Sequence, residues 1–322
     1  MAMTNQMPVN GMPIVRAQRW KKGDLILPLF IVLIAIIATL IEPRFMSSGN
    51  LTNLGKQMVP LAIAAVGQCL AIISGGLDLS IAAVMSLSGV VGILVMEQYG
   101  VLAGVLAMLF TGIVAGLCSG AVIAYLRTTP LIVTLGMLSI CQAVALILAK
   151  GVPIYRVPES FSNTVGFGSM LGIPVIIWIG AFTVLGAWVL LRKTVYGRYI
   201  YAIGSNSSAA VKSGLNVPCY TALAYGFSGL AAGICAVVMT SWTSAAEPVA
   251  SPNLTLEAIA AVVLGGVALK GGSGGIHHVL YGVIILSMLT NAMNITGVST
   301  FYQMLVVGMV IILAVVLDRF RT

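Results

Sequence analysis

The chain has 322 residues, of which 59% are hydrophobic and 7% are charged, with 36 glycines and a formal net charge of +8. No soluble core could bury so much apolar surface, so the composition predicts a polytopic membrane protein and excludes a soluble domain. No basic run interleaved with aromatic residues occurs, which excludes nucleic-acid binding despite the positive charge.

The first apolar run covers residues 25–41 and follows a basic segment, residues 1–24. Glu42, Pro43, Arg44 and Phe45 come next, without a small-residue cleavage site. We therefore interpret the run as an uncleaved first span and not as a secretory signal. The five cysteines are scattered through or beside apolar segments, without the close spacing of a metal or redox motif, so no metal site is predicted.

Nine more apolar runs follow, which predicts an all-α polytopic membrane protein of about ten transmembrane helices. Residues 42–57 are predicted to be a polar connection with helical character around Asn50 to Leu54. Residues 150–171 form the longest predicted loop between spans, and its length suggests contact with a partner or a substrate mouth. The predicted spans lie at about 25–41, 58–73, 78–96, 101–125, 131–149, 173–191, 218–241, 256–269, 276–293 and 301–317.

The positive charges indicate how these spans are oriented. Twelve of the sixteen Lys and Arg residues fall on the side of the two termini, and the other four fall opposite. The positive-inside rule then predicts that both termini are cytoplasmic. This gives a transmembrane domain over 25–317, with cytoplasmic tails at 1–24 and 318–322 and a cytoplasmic loop at 192–217.

The stretch from Ser74 to Ser80, Ser-Gly-Gly-Leu-Asp-Leu-Ser, separates the second and third predicted spans. Two glycines at membrane depth free backbone groups that lipid cannot satisfy, so the break must lie in protein or line a wet cavity. Broken helices mark transport pathways, and an ionisable residue beside one is a functional candidate. We therefore predict a path or gate at Gly75, Gly76, Asp78 and Ser80. The alternative, compatible with the first, is that Asp78 caps the third span.

A second acid opens the eighth predicted span. The sequence around Glu257, Leu-Glu-Ala-Ile-Ala-Ala-Val-Val over residues 256–263, is similar to residues 77–85 that open the third span. In the predicted topology the two spans run in opposite directions, which indicates an inverted-repeat core with Glu257 as the counterpart of Asp78 on the substrate path. Coincidence in an alanine- and valine-rich sequence is the alternative.

The cytoplasmic segment 197–214 has helical patterning after Asn206 and is expected to end near Gly214. Its tyrosines and small residues favour docking into a groove of another protein, and an ordinary solvated loop is the alternative. The chain has no Walker-type phosphate loop, so it is not predicted to bind ATP in that way. It also has no hydrolase motif with plausible partners, so an enzyme is not predicted.

Several of these segments resemble a known family of membrane proteins. Residues 74–80, residues 197–214, and Glu257 to Gly266 followed by Gly271-Gly272 resemble the permease subunit of the ribose-type family of bacterial ABC importers, over about residues 25–318. Ser208-Ala209-Ala210 with Gly214 is similar to the Glu-Ala-Ala coupling signature of ABC permeases, with serine in place of the acid. The resemblance implies that coupling to an ATPase involves the residues Ser208, Ala209, Ala210, Lys212 and Gly214.

The resemblance also implies a set of partners. The chain would lie in the bacterial inner membrane, paired with a second permease copy or a paralogue. Two cytoplasmic ABC ATPase subunits and a periplasmic sugar-binding protein would complete an importer of a monosaccharide, a ribose-like pentose or a hexose. No cofactor is expected on this chain, since ATP would be used by the ATPase subunits.

Other functions stay open at this point. An ion-coupled secondary transporter would use Asp78 and Glu257 to carry protons or sodium. Similar ABC permeases could carry nucleosides, autoinducer-like sugars or branched-chain amino acids. A purely structural scaffold fits worst, because it has no need of buried acids beside glycine breaks.

Overall fold

The computed structural model describes residues 26–321. Apart from one short hairpin and an isolated bridge, the regular structure of this part is helical, which confirms the predicted all-α character. The helices are α1 (Ile26–Ile41), α2 (Ser48–Ile73), α3 (Ile81–Tyr99), α4 (Val101–Tyr125), α5 (Pro130–Leu148), α6 (Glu159–Phe161), α7 (Val175–Lys193), α8 (Val195–Ser205), α9 (Ser207–Lys212), α10 (Val217–Thr243), α11 (Leu254–Gly265), α12 (Ile276–Ile295) and α13 (Thr300–Arg321), and the hairpin pairs β1 (Ser169–Met170) with β2 (Ile173–Pro174).

Ten of these helices correspond one to one to the predicted spans. Within the described part, seven of them, α2, α3, α4, α5, α7, α10 and α12, are long and apolar enough to cross a membrane. The shorter apolar helices are α1, α11 and the first part of α13, Thr300–Val310. The polytopic membrane fold is thus confirmed, whereas the count of ten spans and the cytoplasmic termini stay predictions. The predicted tail 1–24 lies outside the described residues, and α13 continues to Arg321 through most of the predicted tail 318–322.

The helical character predicted around Asn50 to Leu54 is confirmed, but the predicted start of the second span at residue 58 is wrong, because α2 already begins at Ser48. The hydroxyl of Ser47 caps this helix by accepting the N–H of Asn50 (3.3 Å). The Asn50 amide also donates to the side chain of Asn291 on α12 (2.9 Å). The polar residues therefore begin the helix and anchor it to a neighbour instead of interrupting it.

Two other predicted boundaries and the predicted loop 192–217 also differ from the structure. The third span begins at Ile81 and not at Asp78, because the chain remains non-helical through residues 76–78 and turns at Leu79 and Ser80. The eighth span ends at Gly265, because Gly266 is left-handed (φ +100°) and stops α11. The predicted loop 192–217 contains the helix expected after Asn206, α9, and also α8, which was not predicted; both follow α7 with single-residue connections.

The core is organised around α2 and α10. Most of α2 is buried, and α10 packs against α4, α2 and α3. The contact between α10 and α4 is a glycine interface, where a side chain at Gly229 would overlap the carbonyl oxygen of Gly112 and lie 3.0 Å from Gly116. Small residues allow such close approach of helices in a membrane, where burying apolar surface brings little gain.

We expect Gly229→Ala to destabilise the protein by about 1–3 kcal/mol, because the added methyl group must separate α10 from α4. The matched control is Gly186→Ala on α7, where nothing lies within 4 Å of the added atom. The check is the melting temperature of both purified variants in detergent. Equal melting temperatures for the two variants would contradict the tight interface.

The predicted long loop at 150–171 folds back onto the end of α10. Ile154 pairs with Ala246 in an antiparallel bridge (both N···O distances 2.9 Å). Gly166 packs against the carbonyl of Ser241, leaving no room for a side chain. This loop and the α10–α11 connection therefore cover one end of the bundle together; the loop's contact with a partner or substrate stays a prediction.

Candidate functional site

The break between α2 and α3 begins with a Schellman motif. The N–H of Gly76 donates to the carbonyl of Ala71 (3.1 Å), and the N–H of Gly75 donates to that of Ile72 (2.9 Å). Gly75 has a φ of +94°, which L side chains rarely adopt. Gly76 is buried, and a side chain there would overlap the hydroxyl of Tyr225 on α10. The sequence Gly-Gly thus ends the helix with its carbonyls satisfied and allows a close approach to α10.

The carboxyl group of Asp78 is buried and accepts hydrogen bonds from two elements. The N–H and hydroxyl of Ser80 both donate to Oδ1 (3.0 and 2.6 Å). The hydroxyl of Ser228 on α10 donates to Oδ2 (2.7 Å). Asp78 is only 3% exposed and Ser80 only 1%, so this network is enclosed in the described conformation. It fixes the start of α3 to α10.

Gln68 of α2 completes this network. Its side-chain nitrogen donates to the carbonyl of Asp78 (2.8 Å), and its oxygen accepts the N–H of the same residue (3.3 Å). The main chain in the break thereby obtains the partners that lipid cannot supply. Gln68 is fully buried, so α2, α3 and α10 are held together at Asp78.

The first turns of α3 and α11 meet inside the bundle. The N–H of Ala82 donates to the hydroxyl of Thr255 (3.1 Å), and the N–H of Ala250 donates to that of Ser86 (3.0 Å). From this meeting point α3 runs toward the Thr240 end of α10, whereas α11 leads to the C-terminus of α2. This opposed pair of helices agrees with an inverted arrangement of the two acid-headed segments, and a repeat over the whole halves stays a prediction.

The predicted acids themselves are not joined. No hydrogen bond or ion pair connects Asp78 and Glu257 among the described residues. Asp78 lies in the closed network, whereas Glu257 is half-buried in the first turn of α11 and lines a cleft of about 320 Å³. Their roles on a substrate path stay predictions, and the two side chains face different surroundings.

Four glycines bring three backbone segments into contact, and we call this the glycine junction: Gly75, Gly204, Gly271 and Gly272. The N–H of Gly272 donates to the carbonyl of Ile73 at the end of α2 (3.0 Å). A side chain at Gly204 on α8 would overlap that carbonyl and lie 2.5 Å from the Gly272 nitrogen. The junction therefore joins the end of α2, the end of α8 and the glycine-rich turn after α11.

Two side chains of α8 reinforce the glycine junction. The hydroxyl of Tyr201 donates to the carbonyl of Gly274 (2.8 Å), and that of Ser205 lies 3.4 Å from the carbonyl of Gly272. A displacement of α8 must therefore also displace the two helix breaks, which are the break between α2 and α3 and the glycine-rich turn between α11 and α12.

The short helix α9 directly continues α8. The Asn206 side chain caps it by accepting the N–H of Ala209 (2.9 Å), and Gly214 ends it with a φ of +80°. Ala210 is buried and anchors the helix, while the predicted coupling residues Ser208, Ala209, Lys212 and Gly214 are exposed. Val211 is 56% exposed between them, so α9 offers a small, partly apolar outer surface.

Several of these residues were not predicted from the sequence. Gln68 carried a usable signal, because a polar residue inside the apolar run of α2 needs a partner. Ser228, Thr255 and Gly204 carried none, since serine, threonine and glycine are common in membrane helices and their partners are distant in the chain.

The comparisons with known proteins agree with this architecture. A family model described as "Branched-chain amino acid transport system / permease component" matches residues 50–315. The ribose import permease protein RbsC of Escherichia coli (strain K12) is 38% identical over 293 residues, which cover 90% of this chain and 91% of RbsC. The chain belongs to the family of ribose-type ABC importer permeases.

Other relatives of this permease are also described as sugar permeases. The L-arabinose ABC transporter permease protein AraH of Azospirillum brasilense is 36% identical over 299 residues, covering 92% of the permease and 87% of AraH. The D-allose transport system permease protein AlsC of Escherichia coli (strain K12) is 34% identical over 295 residues, with 89% of each chain covered. No solved structure matches the permease. The Asp78 network, the glycine junction and α9 all lie within the range of the family match.

Proposed function

We propose that the chain is the transmembrane subunit of an ABC importer that moves a monosaccharide from the periplasm to the cytoplasm across the bacterial inner membrane. Separate ATPase subunits drive the import, a periplasmic sugar-binding protein delivers the cargo, and a second permease copy or a paralogue completes the path. The observation that carries the proposal is the 38% identity to a ribose import permease over 90% of the chain. AraH and AlsC, named for other monosaccharides, support the same class of cargo.

The proposed route of coupling starts at α9. Its residues Ser208, Ala209, Lys212 and Val211 are exposed, so they are available to a groove on an ATPase subunit. Movement of α9 passes through the single-residue link at Asn206 to α8, and from there through the glycine junction to the two helix breaks. ATP is used by the ATPase, and this chain holds no cofactor of its own.

The geometry at Asp78 supports this function over an ion-coupled transporter. An ion carrier needs an acid that exchanges its cation with solvent, and Asp78 is 3% exposed with both oxygens engaged by serine donors. Glu257 is more accessible, yet it lies apart from Asp78 and does not form a shared ion site with it.

The test is transport by the purified complex reconstituted in vesicles. We expect uptake of labelled ribose, arabinose or allose that requires ATP and the binding protein, and that continues when ionophores collapse proton and sodium gradients. Leucine belongs in the same panel because the family description names branched-chain amino acids. A nucleoside is added because nucleosides are another cargo that the sequence leaves open. Uptake that follows an ion gradient without ATP would overturn the proposal. Uptake of leucine alone would show that the cargo is an amino acid and not a monosaccharide.

For the docking surface, we expect Val211→Glu to release the ATPase subunit from the purified permease, because it adds a charge to the exposed apolar side chain of α9. Val152→Glu is the matched control, since Val152 is equally exposed (59% against 56%) but lies in the loop after α5. The measurement is the amount of ATPase that co-purifies with each tagged variant. Equal amounts with both variants would argue against docking at α9.

A further inference from the structure

A cleft with several polar side chains lies between α2, α10, α11, α12 and α13, separate from the Asp78 network. Its volume of about 320 Å³ is at the lower end of the roughly 300–1,000 Å³ typical of small-molecule pockets, a size suited to a single sugar ring. Six polar side chains line it, and five of them come from three helices or their caps. These five are Gln57 of α2, Asn253 and Glu257 at the start of α11, and Ser287 and Thr290 of α12; the sixth is Ser251 in the connection between α10 and α11. We call this space the Glu257 cleft.

These five side chains have no protein partner. Within the described residues none of them forms a hydrogen bond or ion pair, and the side chain of Asn253 does not cap α11. Ser287 is 93% buried, being 7% exposed, and still lines the cleft with a free hydroxyl. Gln57 and Asn253 are exposed, and Glu257 and Thr290 are half-buried, so these four polar groups are open to solvent or to a ligand. The Ser287 hydroxyl is buried and lacks the partner that buried polar groups are expected to have, so the convergence of all five on one cavity indicates a polar occupant.

The cleft also has an aromatic wall. Trp242 of α10 contributes an indole, which offers a broad apolar face and one N–H donor. A ring sugar has the matching pair of surfaces, with C–H groups on its faces and hydroxyl groups at its edge. Pro60 of α2, also in the wall, has no N–H to donate to the Lys56 carbonyl one turn earlier.

The charges in the lining favour a neutral ligand. Glu257 is the one ionisable side chain among the lining residues, and no Lys or Arg accompanies it. A carboxylate can accept hydrogen bonds from two adjacent hydroxyl groups, as a sugar presents them. An anionic solute would find no cationic partner. A zwitterionic amino acid could place its ammonium group on Glu257, but its carboxylate would find only neutral amide and hydroxyl donors in the lining.

From these observations we infer that the Glu257 cleft is a binding site for a neutral monosaccharide within a single permease chain. The inference rests on the proposed function and gives it a location. In the predicted topology the cleft opens toward the side opposite the termini, where an importer receives its cargo. The site holds the sugar through Glu257, Gln57, Asn253, Ser287 and Thr290, with Trp242 covering one face.

The test uses the full-length permease in lipid nanodiscs and saturation-transfer NMR with ribose, arabinose, allose and leucine as probes. We expect a sugar signal that Glu257→Gln weakens about tenfold in affinity, since a hydrogen bond to a charged group is lost. Ser287→Leu, which fills the cleft, should abolish it. Glu247→Gln is the matched control, because it makes the same charge change at an exposed residue outside the cleft.

Transport by the same variants separates the two proposals. If ATP-driven sugar uptake persists in all variants while sugar binding is absent or insensitive to Glu257→Gln, the site is wrong and the importer stands. If leucine gives the signal that Glu257→Gln removes, the cleft takes an amino acid and the inference of a sugar site is overturned. If the wild-type complex takes up no sugar at all, the proposed function itself fails.

Discussion

Asp78→Ala is expected to give the largest loss of folded protein among single polar substitutions in the chain. The change removes the acceptor of three buried donors, the N–H and hydroxyl of Ser80 and the hydroxyl of Ser228. Buried donors without acceptors each cost about 1–3 kcal/mol, so we expect a loss of at least about 3 kcal/mol. The check is the yield of monodisperse protein and its melting temperature, which should fall by about 5–10 °C or more.

Asp78→Asn separates a structural role from a role in ion transport. Asparagine keeps one oxygen for Ser80, and the hydroxyl of Ser228 can turn from donor to acceptor toward the new amide. We therefore expect a variant of nearly normal stability whose uptake still requires ATP and ignores ion gradients. A stable Asp78→Asn protein that has lost all uptake would instead identify Asp78 as a residue of the path or an ion carrier. Ser228→Ala serves as a control, because it removes one donor without touching the acid.

The fold was largely predictable because long apolar runs in the sequence indicate membrane helices. Each predicted span has a helix in the structure, with ends that differ by only a few residues in most cases. The errors occur where polar residues are helical. Helical character around Asn50 to Leu54 was predictable, but the continuity of this turn with the second span was not, and the distant partner Asn291 that holds it is not revealed by any local pattern.

The candidate site was predictable in its parts but not in its contacts. Gly75 and Asp78 stood out because glycine pairs and acids are unusual between apolar runs. That Gly75 lies beside Gly271, and Ile73 beside Gly204, depends on tertiary packing of segments about 130 to 200 residues apart in the chain. The Glu257 cleft escaped prediction for the same reason, since its polar residues are single and spread over three helices and the connection between α10 and α11.

Gly204→Val is expected to uncouple ATP hydrolysis from transport. A side chain at Gly204 would overlap the carbonyl of Ile73 and approach the Gly272 nitrogen to 2.5 Å, so α8 must separate from the end of α2 and from the turn after α11. Both neighbours are backbone atoms, so they cannot move aside as a flexible side chain could. In the proposed route of coupling, α9 would still bind the ATPase, but its movement would no longer reach the helix breaks.

The measurement compares ATP hydrolysis and sugar uptake in the same reconstituted vesicles. We expect Gly204→Val to keep the ATPase attached and to retain at least half of the hydrolysis, while uptake falls at least about tenfold, so that the ATP used per sugar rises at least about fivefold. Ser205→Ala is the neighbouring control, because it removes only the long 3.4 Å contact with Gly272 and adds no atoms. If hydrolysis and uptake are lost together, α8 is needed for assembly of the complex. If uptake is unchanged, the movement of α9 reaches the two helix breaks by another route. Because the junction is made of main-chain contacts, only a substitution that adds volume tests it, and Gly204 is the one junction glycine on the element that continues into α9.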